Sequence, residues 1–263
     1  MSKDKTVVAV GDFHCSHAVG LTPPSFNPKF RGGIKAHYSE LRALYWTHYA
    51  QTLDSLKPID VLIVNGDCID GKGEASGGTE QLTADRNEQV EMAVECINYA
   101  KAGVVLMTFG TPYHVGREED WERQVADGCG AARIKSHDWA DVNGLVFDFK
   151  HHIPGSQTPL GRHTPLVRER LWNYLWAEHE EYPKAHVILR SHVHYHVLVG
   201  GYGWLAMTLP AMQGYGSKFG ARKMSGTVDF GLVSFVVHDR WEWSWNQHIL
   251  KPKVLRHLPF RVK

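Results

Sequence analysis

Leu189-Arg190-Ser191-His192-Val193-His194 closes an apolar run that begins at Ala185 and reads as a buried strand. Two histidines stand just past the strand end, two residues apart. Neutral imidazole is a metal ligand, and a sharp turn after a strand aims both rings into one crevice. His-x-His alone is a weak signal. It gains weight because three other strand ends also finish in Asp or His: Gly11-Asp12-Phe13-His14, Asn65-Gly66-Asp67 and Lys150-His151-His152. Ligands delivered by separate strand ends are what a metal centre at the rim of an open sheet requires.

The bulk numbers remove several classes of function. The chain has 263 residues, enough for one large domain, and 43% of them are hydrophobic, enough for a sizeable core. A formal net charge of +1 supplies no global field to draw in nucleic acid, although a local basic groove stays open. Seventeen histidines is high for this length, and several fall where strands end. Cys15, Cys68, Cys96 and Cys129 are far apart and form no CxxC pair, so they read as reduced thiols. The N-terminus runs straight into a strand with no signal peptide, and no apolar run approaches the roughly 18 residues that span a bilayer. The expectation is a soluble cytoplasmic protein with no membrane partner.

Along the chain, Thr6 to Val10, Ile59 to Val64 and Val104 to Phe109 read as strands. They alternate with a helix from Ser39 to Leu56 and one opened by Asp85 with Glu88, a capping-box pair. Such alternation predicts parallel pairing. His17 to Lys35 reads as a long loop, and Glu118 to Ala126 as a helix. Ile134 to Ala140 and Leu145 to Lys150 flank Asn143-Gly144, a hairpin turn. Thr164-Pro165 starts a helix to about Glu181, with Leu166, Arg170, Leu171, Tyr174, Leu175 and Glu178 along an amphipathic face. Strands near Tyr195 to Val199, Trp204 to Leu209, Gly231 to Val237 and Trp241 to Trp245 complete two sheets with helices outside. Trp241, Trp243 and Trp245 alternate along a strand and so share one face, read as packing against the sheet.

Taken in order, Asp12-x-His14, Gly66-Asp67, Gly110-Thr111-Pro112-Tyr113-His114, His151/His152 and His192-x-His194 resemble the calcineurin-like metallophosphoesterases. By motif the resemblance runs from Asp12 to His194, and beyond that by strand pattern. It implies an α/β fold of one domain over residues 1–263. That fold is a four-layer α/β/β/α sandwich of two mixed sheets with helices on both outer faces. A dinuclear metal site lies at the carboxyl ends of the strands. It implies Asp67 as the carboxylate bridging two divalent ions (Mn, Fe, Zn or Ni, with Mn favoured). Asp12, His14 and His194 would complete one ion's ligands. His192 and one of His151 and His152 would serve the other, with His151 preferred as the first residue past the strand.

The chemistry suits these residue types. Phosphoester hydrolysis places negative charge on the non-bridging and leaving oxygens, and two ions roughly 3.5–4 Å apart hold a hydroxide and neutralise that charge. One block departs from the family, which carries Gly-Asn-His-Asp or Gly-Asn-His-Glu. Thr111 stands where the ligating asparagine is expected, and His114 comes two residues after the expected histidine. The second ion then binds weakly, uses water or recruits His114. We read His114 as the catalytic group that assists the leaving oxygen. Thr111, His163, Lys218 and Arg222 are candidate substrate contacts, the last two in the basic, glycine-rich stretch Gly214 to Arg222. Gly-Thr-Pro-Tyr-His resembles the variant of phage and prophage relatives, which implies a phage-encoded protein and a phosphodiesterase or nuclease acting on nucleic acid or nucleotide. A phosphomonoesterase or protein phosphatase, and a non-catalytic metal-binding scaffold, remain open beside it.

Overall fold

The computed structural model describes residues 3–27, 38–116, 120–215, 226–252 and 261–262. Its first sheet is built on β1 (Lys5–Val10), β2 (Val61–Asn65), β3 (Val104–Thr108) and β4 (Arg133–Lys135), which are parallel neighbours in that order. β10 (Phe230–Val237) and β11 (Trp243–Leu250) extend the other edge as an antiparallel pair, so the order is β11-β10-β1-β2-β3-β4. The second sheet contains β5 (Asp138–Val142), β6 (Leu145–Lys150), β7 (Val187–Arg190), β8 (Leu198–Gly201) and β9 (Trp204–Thr208), ordered β5-β6-β7-β9-β8. Its β6, β7 and β9 are parallel and its edges antiparallel.

Strand residues alternate between faces. Val7 and Ala9 of β1 face one way and Val8 and Val10 the other, and all four are buried. A strand covered on both sides reads as a continuous apolar run. Between the sheets, Val7, Ala9, Ile63 and Leu106 meet Phe147, Phe149, Val187, Leu189 and Met207. Outside the first sheet lie α1 (Ser39–Leu56), α2 (Arg86–Tyr99) and α4 (Trp121–Gly128), which bury Tyr45, Tyr49, Leu53, Ala93, Ile97 and Val125 against it. Outside the second, α5 (Thr164–Glu178) seats Leu166 against Ile188 and Ala206. A one-turn α3 (Pro112–Val115) follows β3. The layers are therefore helix, sheet, sheet, helix, as the motif order implied.

Local signals act where they were expected. Asp85 caps α2 by accepting from Asn87 N at 2.9 Å. Asn143 and Gly144 both have positive φ, 52° and 85°, the backbone of a two-residue hairpin.

Three expectations differ. Ile134 to Ala140 is two strands in two sheets: the chain crosses at Ser136-His137, and Arg133 Nε holds Asp138 Oδ2 at 2.5 Å across the crossing. In α5 the polar side faces inward. Arg170 donates to Ala185 O at 2.6 Å and Asn173 to Pro183 O at 3.1 Å, which turns Leu171 and Leu175 outward, 57% and 40% exposed. Of the three tryptophans, Trp243 and Trp245 pack on the inter-sheet core, while Trp241 precedes β11 and is exposed. All four cysteines are free thiols. Among the described residues no helix is long and apolar enough to cross a membrane.

Phe147 fills the centre of the inter-sheet layer, its ring 5.2 Å from that of Phe235. Phe147→Ala should cost about 3–5 kcal/mol of stability, read as a lower midpoint in urea.

Candidate metal centre

Four strand-end loops meet at one rim of the two sheets. After β1 and β2 the parallel ladder continues beyond the strands: Asp12 N donates to Gly66 O at 2.9 Å, His14 N to Asp67 O at 3.0 Å, and Cys15 N to Cys68 O at 3.0 Å. On the other sheet Ser191 N donates to His151 O at 2.7 Å. Asn65 joins the pairs across the sandwich. Its Nδ2 donates to Lys150 O (3.1 Å) and Ser191 Oγ (2.8 Å), its Oδ1 accepts from Thr108 Oγ1 (2.9 Å), and its carbonyl accepts from His151 Nδ1 (2.7 Å).

The loops that carry these candidate ligands have an unusual backbone. Nine described non-glycine residues have positive φ, and five of them are Asp12, His14, Asp67, His192 and His194, at 44° to 75°. Left-handed backbone costs an L-residue about 1–2 kcal/mol, so concentrated strain of this kind is a mark of a functional site. The residues between the paired ligands are pegs: Phe13 is fully buried in the helix-side core and Val193 in the cluster under α5. Each Asp-x-His or His-x-His turn thus alternates candidate ligand, peg, candidate ligand.

Among the described residues, three overlapping groups have ligand atoms mutually within 4.8 Å and could hold metal: Asp12, His14 and His194; His14, Asp67 and His114; Asp67, His151 and His192. His14 Nε2 and His194 Nε2 are 3.2 Å apart, and Asp12 Oδ1 is 3.3 Å from His194 Nε2. Nitrogens about 2.1 Å from a shared ion lie about 3.0–3.4 Å from each other, so these donors fit one cation. His151 Nε2 is buried, stands 3.0 Å from Asp67 Oδ2, and makes no well-aligned hydrogen bond. With its Nδ1 on the Asn65 carbonyl, its Nε2 is aimed at the shared space, the arrangement of a metal-ligating histidine with a backbone partner. The donor set therefore fits divalent ions.

Two glycines are required by close approach. A Cβ at Gly110 would run into the Asp67 carboxylate, and one at Gly66 into the His151 ring. Thr111 turns toward that carboxylate: its N and Oγ1 donate to Asp67 Oδ1 at 2.7 and 3.1 Å. Where a ligating amide was sought, a hydroxyl fixes the acid instead. His114 donates from Nδ1 to Asp70 O at 2.9 Å and lies 4.4 Å, centroid to centroid, from the His14 ring.

His152 lies outside the three groups, exposed at the rim with its ring 4.7 Å from that of His192. His163 is exposed at the start of α5 and does not line the cleft, whereas its neighbour Arg162 does. Lys218, Arg222 and Glu118 lie outside the described residues, as do residues 28–37 of the long loop.

Two buried acids escaped the sequence reading. Asp70 Oδ1 stands 3.6 Å from His14 Nδ1, and Asp70 Oδ2 accepts from Gln81 at 3.2 Å. Glu122 accepts from Cys68 N at 2.8 Å and from Gly110 N, clasping the loops on either side of Asp67. The Asp-x-x-Asp spacing of Asp67 and Asp70 was the one available signal. Nothing in the sequence singled out Glu122, which lies on a helix.

Electrostatics follow from burial and neighbours. Burial, with His114 second, pushes His14 down to about 4. Burial, with His151 second, pushes His192 down to about 4. Both rings are then neutral and free to ligate. Burial raises Asp12 and Asp67, but the facing imidazoles outweigh it and both carboxyls end below their ordinary range. Burial and the nearby Asp67 lift Glu122 to about 7. His151 behaves oppositely: burial lowers it, Asp67 overrides burial, and it rises from 6.5 to about 10.

No protein-family model matches the chain, and no curated protein matches its sequence. Solved structures do. Vacuolar Protein Sorting 29 from Cryptosporidium parvum is similar at 10% identity over 95% of this chain and 100% of that one, with a TM-score of 0.49. A predicted phosphoesterase from Streptococcus pneumoniae TIGR4 is similar at 10% identity over 94% and 92%, TM-score 0.41. A novel archaeal phosphodiesterase is similar at 11% identity over 92% and 99%, TM-score 0.43. At this distance the likenesses say nothing of what this chain acts on.

The His151–Asp67 pair should make metal binding at this site pH-dependent. With its pKa raised above 6.5, the imidazolium's stabilising effect is complete below that value and disappears as pH rises through about 10. A ligating His151 must give up that proton. Manganese affinity should therefore climb between about pH 6 and about pH 8, with proton release visible as buffer-dependent heat in calorimetry. Flat affinity without proton release would remove His151 from the ligand set.

Proposed function

We propose that this chain is a divalent-metal-dependent phosphodiesterase, its activity carried by one domain over residues 1–263. The observation that supports this most is the convergence of Asp12, His14 and His194 beside Asp67, His151 and His192, with His14 and Asp67 shared through a third group. Two sets of donors side by side suit a pair of cations. We assign Asp67 as the bridge and favour manganese, since mixed imidazole and carboxylate donors suit it alongside iron, zinc and nickel. When bound, the ions supply Lewis-acid charge and an activated water to a phosphoester.

The chain's own residues do the rest. Thr111 N and Oγ1 hold Asp67 in one orientation. The backbone N of His192 does the same for Asp12, donating to both carboxylate oxygens at 3.2 Å. His114, held by the Asp70 carbonyl, keeps its Nε2 for the reacting group, and we assign it to proton delivery at the leaving oxygen. The site opens into a cleft of about 550 Å³, lined by His14, Asp67, His114, His192 and His194 and by polar and aromatic groups beyond them. That is the size of a small-molecule site and leaves room on both sides of a diester. We also favour a reducing compartment such as the cytoplasm, a reading that the four unpaired thiols support.

A non-catalytic scaffold is the second reading, favoured by Thr111 in place of a ligating amide. Hydrolysis of an activated aryl phosphodiester and of its monoester, with manganese added, separates the two. Diester turnover should exceed monoester turnover and vanish in Asp67→Asn. No turnover of either substrate would favour the scaffold. His114→Ala should lower kcat by about 10²–10⁴-fold with metal content unchanged; loss of metal instead would make His114 a ligand.

A further inference from the structure

We propose that Arg162 anchors a second phosphate of the substrate, so that the natural substrates are short nucleotide diesters bearing an additional phosphate. This deepens the phosphodiesterase reading and rests on it for the scissile bond. Among the described residues that line the cleft, Arg162 is the sole lysine or arginine. Its Cζ lies over the Tyr195 ring, 4.2 Å from the centroid, and Nη1 donates to Thr227 Oγ1 at 3.3 Å. Its Nε is buried without a hydrogen-bond partner, and among the described residues no ion pair joins the guanidinium to a carboxylate. An arginine stacked on an aromatic ring and without a counter-ion is pre-organised for phosphate.

Its position separates it from the scissile group. Arg162 is in none of the candidate ligand groups, yet it and Tyr195 line the same cleft as His14, Asp67 and His194, with the guanidinium packed on the Tyr195 ring. The 3₁₀ turn Pro159–Arg162 delivers it there, just before α5 begins. The acids of the lining do not oppose it: Asp67 and Asp70 belong to the metal end, and Glu80 is buried. Tyr113 and Tyr215 line the same cleft with aromatic surface suited to bases. A cleft of about 550 Å³ exceeds a lone phosphate and matches a nucleotide-sized ligand.

The test compares Arg162→Ala and Arg162→Lys with the parent protein, manganese-loaded, on three substrates: a 5′-phosphorylated dinucleotide, the same dinucleotide without its terminal phosphate, and an aryl phosphodiester. Arg162→Ala should raise KM for the phosphorylated dinucleotide about 10- to 100-fold, the worth of a charge-assisted hydrogen bond, with kcat nearly unchanged. The other two substrates should be unaffected, and Arg162→Lys should recover part of the loss. Equal impairment on all three substrates, or none, would overturn the proposal. Equilibrium binding of the two dinucleotides to chelated protein separates it from the activity itself. Tighter binding of the phosphorylated form that disappears in Arg162→Ala upholds the anchor even if nothing is hydrolysed, and binding indifferent to Arg162 sinks it even if diesters are cleaved.

Discussion

The Asn65 side chain is the tie on which the site depends. It is fully buried at the end of β2, and every hydrogen-bonding group it has toward the second sheet is in use. Two sheets packed by apolar contacts alone slide easily, because dispersion and the hydrophobic effect are non-directional. The amide is directional. By holding Lys150 O and Ser191 Oγ together it fixes the register of the β6 and β7 loops against the β2 loop, and its carbonyl orients His151. An unmade bond at such depth costs about 1–3 kcal/mol, so the network is specified all at once or not at all.

The strained turns are the second constraint. Placing Asp12, His14, His192 and His194 in left-handed backbone opposes local preference, and the fold supplies the compensation through Phe13 and Val193 in separate cores and through ladders that outlast their strands. Below them lies a purely structural polar system. Arg190 Nη1 meets Asp148 at 2.7 Å and Arg190 Nη2 meets Glu169 at 2.7 Å, all but Glu169 fully buried, while Lys150 and His137 complete the pairs. Since Lys150 and Arg190 end β6 and β7, this network anchors the strands one residue before His151 and two before His192.

Much of this was legible in the sequence, and the reasons are physical. Strands buried on both faces leave unbroken apolar runs, so β1, β2, β3 and β7 could be read directly. Paired ligands after those runs could be read as well, because alternation and tight turns leave short, fixed spacings. What could not be read depends on tertiary rotation. Leu171 and Leu175 have the spacing of core residues, but Arg170 and Asn173 find backbone partners in the following loop and take the inner side. Glu122 lies on a helix far along the chain from Asp67, and only the packed structure brings it to Cys68 and Gly110. The split between β4 and β5 is decided by which sheet has room for each half. His151 and His152 were distinguishable only by strand end; the Asn65 carbonyl separates them in space.

The raised affinity of His151 for a proton has a further meaning for the unloaded protein. Two carboxylates, Asp12 and Asp67, stand within a few ångströms of each other and of that imidazole. Stripped of ions, such a pocket would be expected to burst apart by self-repulsion. The imidazolium acts as a resident counter-ion, a monovalent placeholder that keeps the carboxylates company until something of higher charge arrives. Small domains that owe their folding to a cation lose their shape to a chelator; an imidazolium already seated beside the two carboxylates works against such a loss.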